Sequence, residues 1–139
     1  MLGIGSACCE KEHLRTEDKY GRKEMKLEEI AIFTDQVKET TEFYLALGGK
    51  IVYQNEGMAI IAFENVKMLI HARYQPGEDE LPCENHIAFG TSNIDEEFKR
   101  LSGLGLTVDY EPDDYDWGRS AYLRDPDGKL VELSQIAES

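Results

Sequence analysis

The chain is short of basic residues, and it has no long apolar run. Lys and Arg number 15 against 28 Asp and Glu, so the formal net charge is −13. Nucleic acids and anionic membrane surfaces both bind proteins through Lys and Arg, so this balance argues against either partner. No stretch reaches the length of apolar sequence that a membrane span needs. We therefore expect a soluble acidic protein, and 41% hydrophobic residues suffice for its core.

Cysteine is also scarce, which excludes a disulfide-stabilised secreted fold. The three cysteines are two adjacent residues, Cys8 and Cys9, and the distant Cys83. They form neither a disulfide framework nor a CxxC zinc motif. The N-terminal MLGIGSACC has no basic region and too little apolar sequence for a signal peptide. We expect a reducing, cytoplasmic compartment.

The length of 139 residues predicts one domain. Residues 1–24 are mostly polar and carry no strand pattern, so we interpret them as an N-terminal extension. The domain then spans residues 25–139. The sequence leaves the role of the extension open.

An internal repeat divides this domain. Residues 29–51 and 86–108 match without a gap at an offset of 57 positions, with Ile30 matching Ile87 and Gly48 matching Gly105. Each copy predicts the order βαβββ, giving module one at 26–74 and module two at 85–136. The predicted strands are 26–34, 50–54, 58–63, 67–73, 86–91, 107–110, 120–124 and 129–135, and the predicted helices are 35–47 and 94–104. The segment EPDDYDWGR, residues 111–119, is predicted to be a functional loop.

Four repeat-related positions carry titratable side chains. Strand alternation places Glu29 and His86 on the face opposite the helix-covered one. In the last strands, MLIHA and KLVEL align His71 with Glu132. Two imidazoles and two carboxylates in one cavity predict a site for Zn²⁺, Ni²⁺, Co²⁺, Mn²⁺ or Fe²⁺. For Glu29 the alternative is an exposed strand-end carboxylate, and a one-residue register slip would exchange it with Glu28.

The chain resembles the vicinal oxygen chelate superfamily, which contains glyoxalase I, fosfomycin resistance thiol transferases, extradiol dioxygenases and bleomycin resistance proteins. The motifs that carry the resemblance are HIAF with SNIDEEF, EFY with LGGK, and YLRDPDGKLVEL, and it covers residues 26–135. It implies an α+β fold in which two βαβββ modules form an open, cup-shaped mixed sheet around a metal. In metal-dependent glyoxalases the first-strand and last-strand ligands of each module are usually His and Glu. His86 and Glu132 fit that pattern, whereas Glu29 and His71 exchange the two residue types.

Five further residues are candidates for the substrate-binding wall. Phe33 is interpreted as cavity wall, and Tyr122 can face either side of its strand. Arg119 can pair with an anionic substrate group, or it can neutralise neighbouring aspartates at the surface. Arg73 shares a face with His71, or it is a strand-edge charge. Trp117 belongs to the long loop.

The resemblance supports two functions. The first is a metal-dependent lyase or isomerase acting on a small oxygen-chelating substrate such as a 2-oxoaldehyde–thiol adduct, with Glu132 or Glu29 moving the proton. The second is a metal-free protein of the bleomycin resistance type that sequesters a flat or cationic ligand between aromatic side chains. Relatives often pair, so we expect a homodimer. Whether the cup forms within one chain or between two stays open.

Overall fold

The computed structural model describes residues 25–77 and 80–137. Its strands are β1 (Lys26–Thr34), β2 (Lys50–Gln54), β3 (Met58–Ala62), β4 (Lys67–Ala72), β5 (His86–Thr91), β6 (Thr107–Tyr115), β7 (Gly118–Arg124) and β8 (Leu130–Gln135). The helices are α1 (Val37–Ala46) and α2 (Ile94–Gly103). The proposed extension, residues 1–24, lies outside the described residues. No helix in the described ranges is long and apolar enough to cross a bilayer.

All eight strands form one open mixed sheet in the order β2-β3-β4-β1-β5-β8-β7-β6. Within each module the first and last strands are parallel, as β1 with β4 and β5 with β8. The modules join through antiparallel pairing of β1 with β5 at the centre. The predicted α+β fold of two βαβββ modules is confirmed, and in this chain both modules belong to one sheet.

Each helix covers one half of the same face of the sheet. In module one, a buried cluster that includes Ile61 and Ile70 packs against Val37 and Tyr44 of α1. In module two, Ile94 of α2 belongs to a buried cluster with Leu123 of β7. Burial of these apolar side chains stabilises the fold and leaves the opposite, concave face for other side chains.

The prediction of a long loop at residues 111–119 is wrong. Strand β6 continues to Tyr115 and pairs with β7 down to Tyr115 opposite Gly118, with irregular register near Tyr110 and Asp113. Pro112 and the acidic residues suggested a loop, but β6 is an edge strand, where Pro need not break a ladder hydrogen bond. The tight turn ends at Gly118, whose φ of 134° favours glycine.

Candidate functional site

A cavity of about 460 Å³ occupies the concave face of the sheet. Both modules contribute to its wall, so the central β1–β5 pair runs across its floor. The predicted residues that line it are Glu29, Phe33, His71, His86, Trp117, Tyr122 and Glu132. Side chains that alternate onto one face of neighbouring strands are thereby collected in one pocket.

Glu132 is the best-held acidic group of this cavity. It lies on β8, 6% exposed, opposite Ala88 on one side and Tyr122 on the other. Its Oε1 is 3.0 Å from His86 Nε2, and its Oε2 accepts a 2.7 Å hydrogen bond from Ser120 Oγ. A buried carboxylate with a partner on each oxygen keeps one orientation and retains its remaining lone pairs for a ligand.

The imidazole of His86 is held from both sides. Its Nδ1 donates a 2.9 Å hydrogen bond to the Glu84 carbonyl, while Nε2 faces Glu132. Burial lowers the pKa of His86, but the hydrogen bonds to Glu132 and Glu84 and the charges of Glu132 and Glu29 outweigh it, so the net pKa is raised. Arg124 pairs with the Glu84 carboxylate at 2.7 and 3.0 Å and so holds the segment that orients the ring.

Both Glu28 and Glu29 reach the cavity, because β1 contains a bulge. The register with β5 shifts between Leu27 and Glu29, which leaves Glu28 as the extra residue. Glu28 has two cations near it, Lys67 at 3.5 Å and Lys26 at 3.8 Å. Glu29 has a raised pKa because burial disfavours its charge and the nearby Glu132 carboxylate repels it. Of the two glutamates, Glu29 is therefore the one whose charged form a bound cation would stabilise.

The alignment of His71 with Glu132 is wrong. Glu132 lies opposite Ala88 in module two, and Ala31, the counterpart of Ala88, lies opposite Leu69 in module one. His71 instead lies opposite Phe33, and it is two residues further along β4 than Leu69. Leu69, which has no donor atom, therefore holds the fourth repeat-related position.

The donor chemistry fits a divalent cation with three candidate ligands from this chain. Glu29, His86 and Glu132 line one cavity, and the Glu132 charge raises the pKa of both Glu29 and His86. Two carboxylates and one imidazole suit a borderline divalent ion. Across residues 25–77 and 80–137, no three His, Cys, Asp or Glu side chains already surround a common point closely enough to hold a metal.

The two predicted arginines lie off the cavity wall. Arg119 bonds Asp95 of α2 at 2.8 Å and Asp114 at 3.1 Å, which agrees with its interpretation as a surface charge. Arg73 lies 3.5 Å from Asp35 and lines an open groove beside the cavity. Anionic substrate groups therefore meet neither guanidinium inside the cavity.

Sequence reasoning missed Ser120 and Tyr74. Ser120 is fully buried and bonds both Glu132 and the Trp117 indole, whose Nε1 donates at 3.1 Å. Tyr74 lines the cavity from the linker and donates to the Leu81 carbonyl at 3.1 Å. For Ser120 a signal existed, since a polar residue directly before the apolar residues Ala121, Tyr122 and Leu123 of β7 needs a hydrogen-bond partner if it is buried with them.

Comparison with known proteins identifies the class to which this fold and site belong. The sequence matches the Glyoxalase/Bleomycin resistance protein/Dioxygenase superfamily over residues 26–133, so the chain belongs to that superfamily. No curated protein matches it in sequence.

Solved structures show the same fold at low sequence identity. A hypothetical protein from Bacillus halodurans C-125 is 22% identical with a TM-score of 0.68, covering 84% of this chain and 98% of its own. Methylmalonyl-CoA epimerase from Streptomyces coelicolor, in complex with 2-nitronate-propionyl-CoA, is 23% identical with a TM-score of 0.65, covering 84% and 99%. A superfamily member from Vibrio splendidus 12B01 is 13% identical with a TM-score of 0.55, covering 81% and 98%.

Proposed function

We propose that this protein is a metal-dependent enzyme of the lyase or isomerase type that moves a proton on a small, oxygen-chelating substrate. The observation that carries the proposal is the Glu29, His86 and Glu132 set in one cavity, with Glu132 held by His86 and Ser120. A divalent cation held by these three side chains would supply Lewis-acid polarisation of substrate oxygens. A 2-oxoaldehyde–thiol adduct has the paired oxygens that such a cation chelates.

The two carboxylates have different surroundings, which suits them to different roles. When His86 Nε2 binds the cation, Glu132 keeps the hydrogen bond from Ser120, so we propose that it holds its position and accepts a substrate proton. Burial and the Glu132 charge raise the pKa of Glu29, and a bound cation would oppose that shift. We propose that Glu29 returns the proton when its carboxylate detaches from the cation. A solved structure of the same fold is a methylmalonyl-CoA epimerase by name, and an epimerase is an isomerase.

Metal content and activity test this proposal together. Protein purified without an affinity metal is reconstituted with Ni²⁺, Zn²⁺, Co²⁺, Mn²⁺ or Fe²⁺, and bound ions are counted by elemental analysis. We expect about one ion per chain, its loss in His86→Ala and Glu132→Ala, and turnover of hemithioacetals of 2-oxoaldehydes. Glu64→Gln makes a similar charge change in an exposed turn and should retain the ion. Wild-type protein that binds none of the five ions would contradict the metal-dependent function.

A metal-free binding protein of the bleomycin resistance type is the second candidate. It is favoured by Leu69 at the fourth repeat-related position and by aromatic cavity walls that include Phe33, Tyr74 and Trp117. Flat organic ligands bind such walls by stacking. Tight binding of a flat cationic compound in the presence of a chelator, without turnover, would support this function over the enzyme.

The proposed assembly is a homodimer acting on a small molecule in the cytoplasm. Apolar side chains are exposed on the edge strand β2, where Val52 is 59% exposed. Such an edge can be covered by a second copy. Sedimentation analysis at micromolar concentration tests the dimer, and a single species of monomer mass would contradict it.

A further inference from the structure

His71 and the two carboxylates among the candidate cation ligands lie at different levels of the sheet. Phe33, which is opposite His71, follows Glu29 by four residues on β1. At about 3.4 Å per residue in a strand, that step corresponds to about 14 Å. Glu29 and Glu132 are both opposite Ala88, so they share one level two strands apart. The level of His71 is therefore far from the level of both carboxylates.

The ring of Phe33 separates His71 from His86. Phe33 lies on β1, between β4 with His71 and β5 with His86. Its ring centroid is 5.4 Å from that of His71 and 6.2 Å from that of His86. A phenyl ring packed against both imidazoles keeps them from converging on one ion.

His71 has its own hydrogen-bonding arrangement. Its Nδ1 donates a 2.7 Å hydrogen bond to the carbonyl of Ala72, so in the neutral ring Nε2 carries the lone pair. Phe33 and Tyr74 pack around the imidazole, with Tyr74 at 6.0 Å between centroids. The Tyr74 hydroxyl is already directed to the Leu81 carbonyl. His71 Nε2 is thus an acceptor that this aromatic end of the cavity offers to a ligand.

We propose that Phe33, His71 and Tyr74 form an aromatic subsite that binds a planar substrate group carrying a hydroxyl or N–H donor. The donor of the substrate bonds His71 Nε2, and the ring of the substrate packs against Phe33 and Tyr74. His71 is then a specificity-determining residue, and the cation is held by Glu29, His86 and Glu132 without it. The subsite depends on the proposed function in one respect only, which is that the substrate enters this cavity.

Placing a carboxylate at position 69 or at position 71 of β4 tests whether His71 is separate from the cation ligands. Co²⁺ is titrated calorimetrically into wild-type protein and into Leu69→Glu, His71→Glu, His71→Leu and Glu132→Gln, each checked for folding by circular dichroism. We expect Leu69→Glu to bind at least tenfold more tightly and Glu132→Gln at least tenfold more weakly. Both His71 variants should stay within threefold of wild type. A tenfold loss in His71→Leu, or a gain in His71→Glu equal to that in Leu69→Glu, would overturn the assignment.

A second experiment addresses the subsite in the presence of a chelator, so it does not depend on the cation. Phenol and anisole share one ring, but only phenol carries a donor, and their binding is followed by NMR. We expect phenol to bind wild type at least threefold more tightly than anisole. His71→Leu should abolish that preference, and Phe33→Leu should weaken both ligands. Equal affinities in wild type, no binding of either compound, or a preference that persists in His71→Leu would overturn the subsite, whatever the outcome with Co²⁺.

Discussion

At the scale of single residues, a row of hydrogen bonds that runs from Trp117 to His86 orients the Glu132 carboxylate. Trp117 Nε1 donates to Ser120 Oγ at 3.1 Å, and Ser120 donates to Glu132 at 2.7 Å. Glu132 in turn faces His86, whose other nitrogen bonds the Glu84 carbonyl. Ser120 is buried and is not among the residues that line the cavity, and it acts through Glu132, so it is a positioning residue. The row couples the exposed hairpin to the buried site.

We predict that Ser120→Ala destabilises the protein by about 1–2 kcal/mol, because it leaves one buried carboxylate oxygen and the Trp117 indole without their partner. Urea denaturation measures the loss. Trp117 is the single tryptophan of the chain, so its fluorescence should also change in the folded variant. Ser134→Ala is the matched control, since Ser134 faces Ser120 across β7 and β8. An unchanged emission spectrum in Ser120→Ala would contradict the row as described.

At the scale of elements, the two helices begin differently although they are copies in the repeat. Asn93 caps α2, since its side-chain oxygen accepts from the Glu96 amide at 3.2 Å and its amide donates to the Glu96 carboxylate at 2.9 Å. Gln36 occupies the same place before α1 and makes no side-chain cap hydrogen bond. Helix α2 therefore has a side-chain N-cap that α1 lacks.

Asn93→Ala should therefore cost about 1 kcal/mol of unfolding free energy, and Gln36→Ala should cost less than about 0.5 kcal/mol. Thermal or urea unfolding of the two variants against wild type gives the comparison. The variants share the helix position and the replacement, so the difference isolates the cap. Equal losses in both would mean that the Asn93 hydrogen bonds add nothing to stability.

At the scale of the whole molecule, titratable groups of the site make the stability of the protein depend on pH. The pKa of Glu29 is raised from 4.5 and that of His86 from 6.5, while Arg124 lowers the pKa of Glu84 from 4.5. A group whose pKa is raised on folding loses its stabilising contribution as the pH rises through the folded value. A carboxyl whose pKa is lowered loses it as the pH falls through the folded value. The Glu84 contribution is therefore lost as the pH falls below 4.5, the Glu29 contribution is lost as the pH rises above 4.5, and the His86 contribution is lost above 6.5.

We predict that, in the presence of a chelator, the unfolding free energy falls as the pH rises from about 6.5 through the raised pKa of His86. His86→Gln keeps a hydrogen-bonding side chain but cannot titrate, so its stability should vary less over that interval. Urea denaturation at fixed ionic strength provides both curves. The formal charge of −13 adds self-repulsion at high pH in both proteins and so cancels in the comparison. Parallel curves would exclude His86 as the group responsible.

The order of elements and the face of each strand followed from sequence, because they are local. Alternation over two residues placed Glu29, Phe33, His86 and Glu132 toward one side, and the structure brings all of them to the cavity. The repeat showed two equivalent modules before any contact was known. The predicted helices were one or two residues too long at their ends, where fraying makes the boundary weak.

The register between strands was decided only in the tertiary structure. Leu69 rather than His71 matches Glu132 because pairing of β4 with β1 depends on contacts between residues far apart in sequence. The bulge at Glu28 and the extended hairpin before Gly118 depend on neighbouring strands in the same way. Sequence thus determined the fold and most of the cavity wall, whereas packing decided which of those side chains can act together.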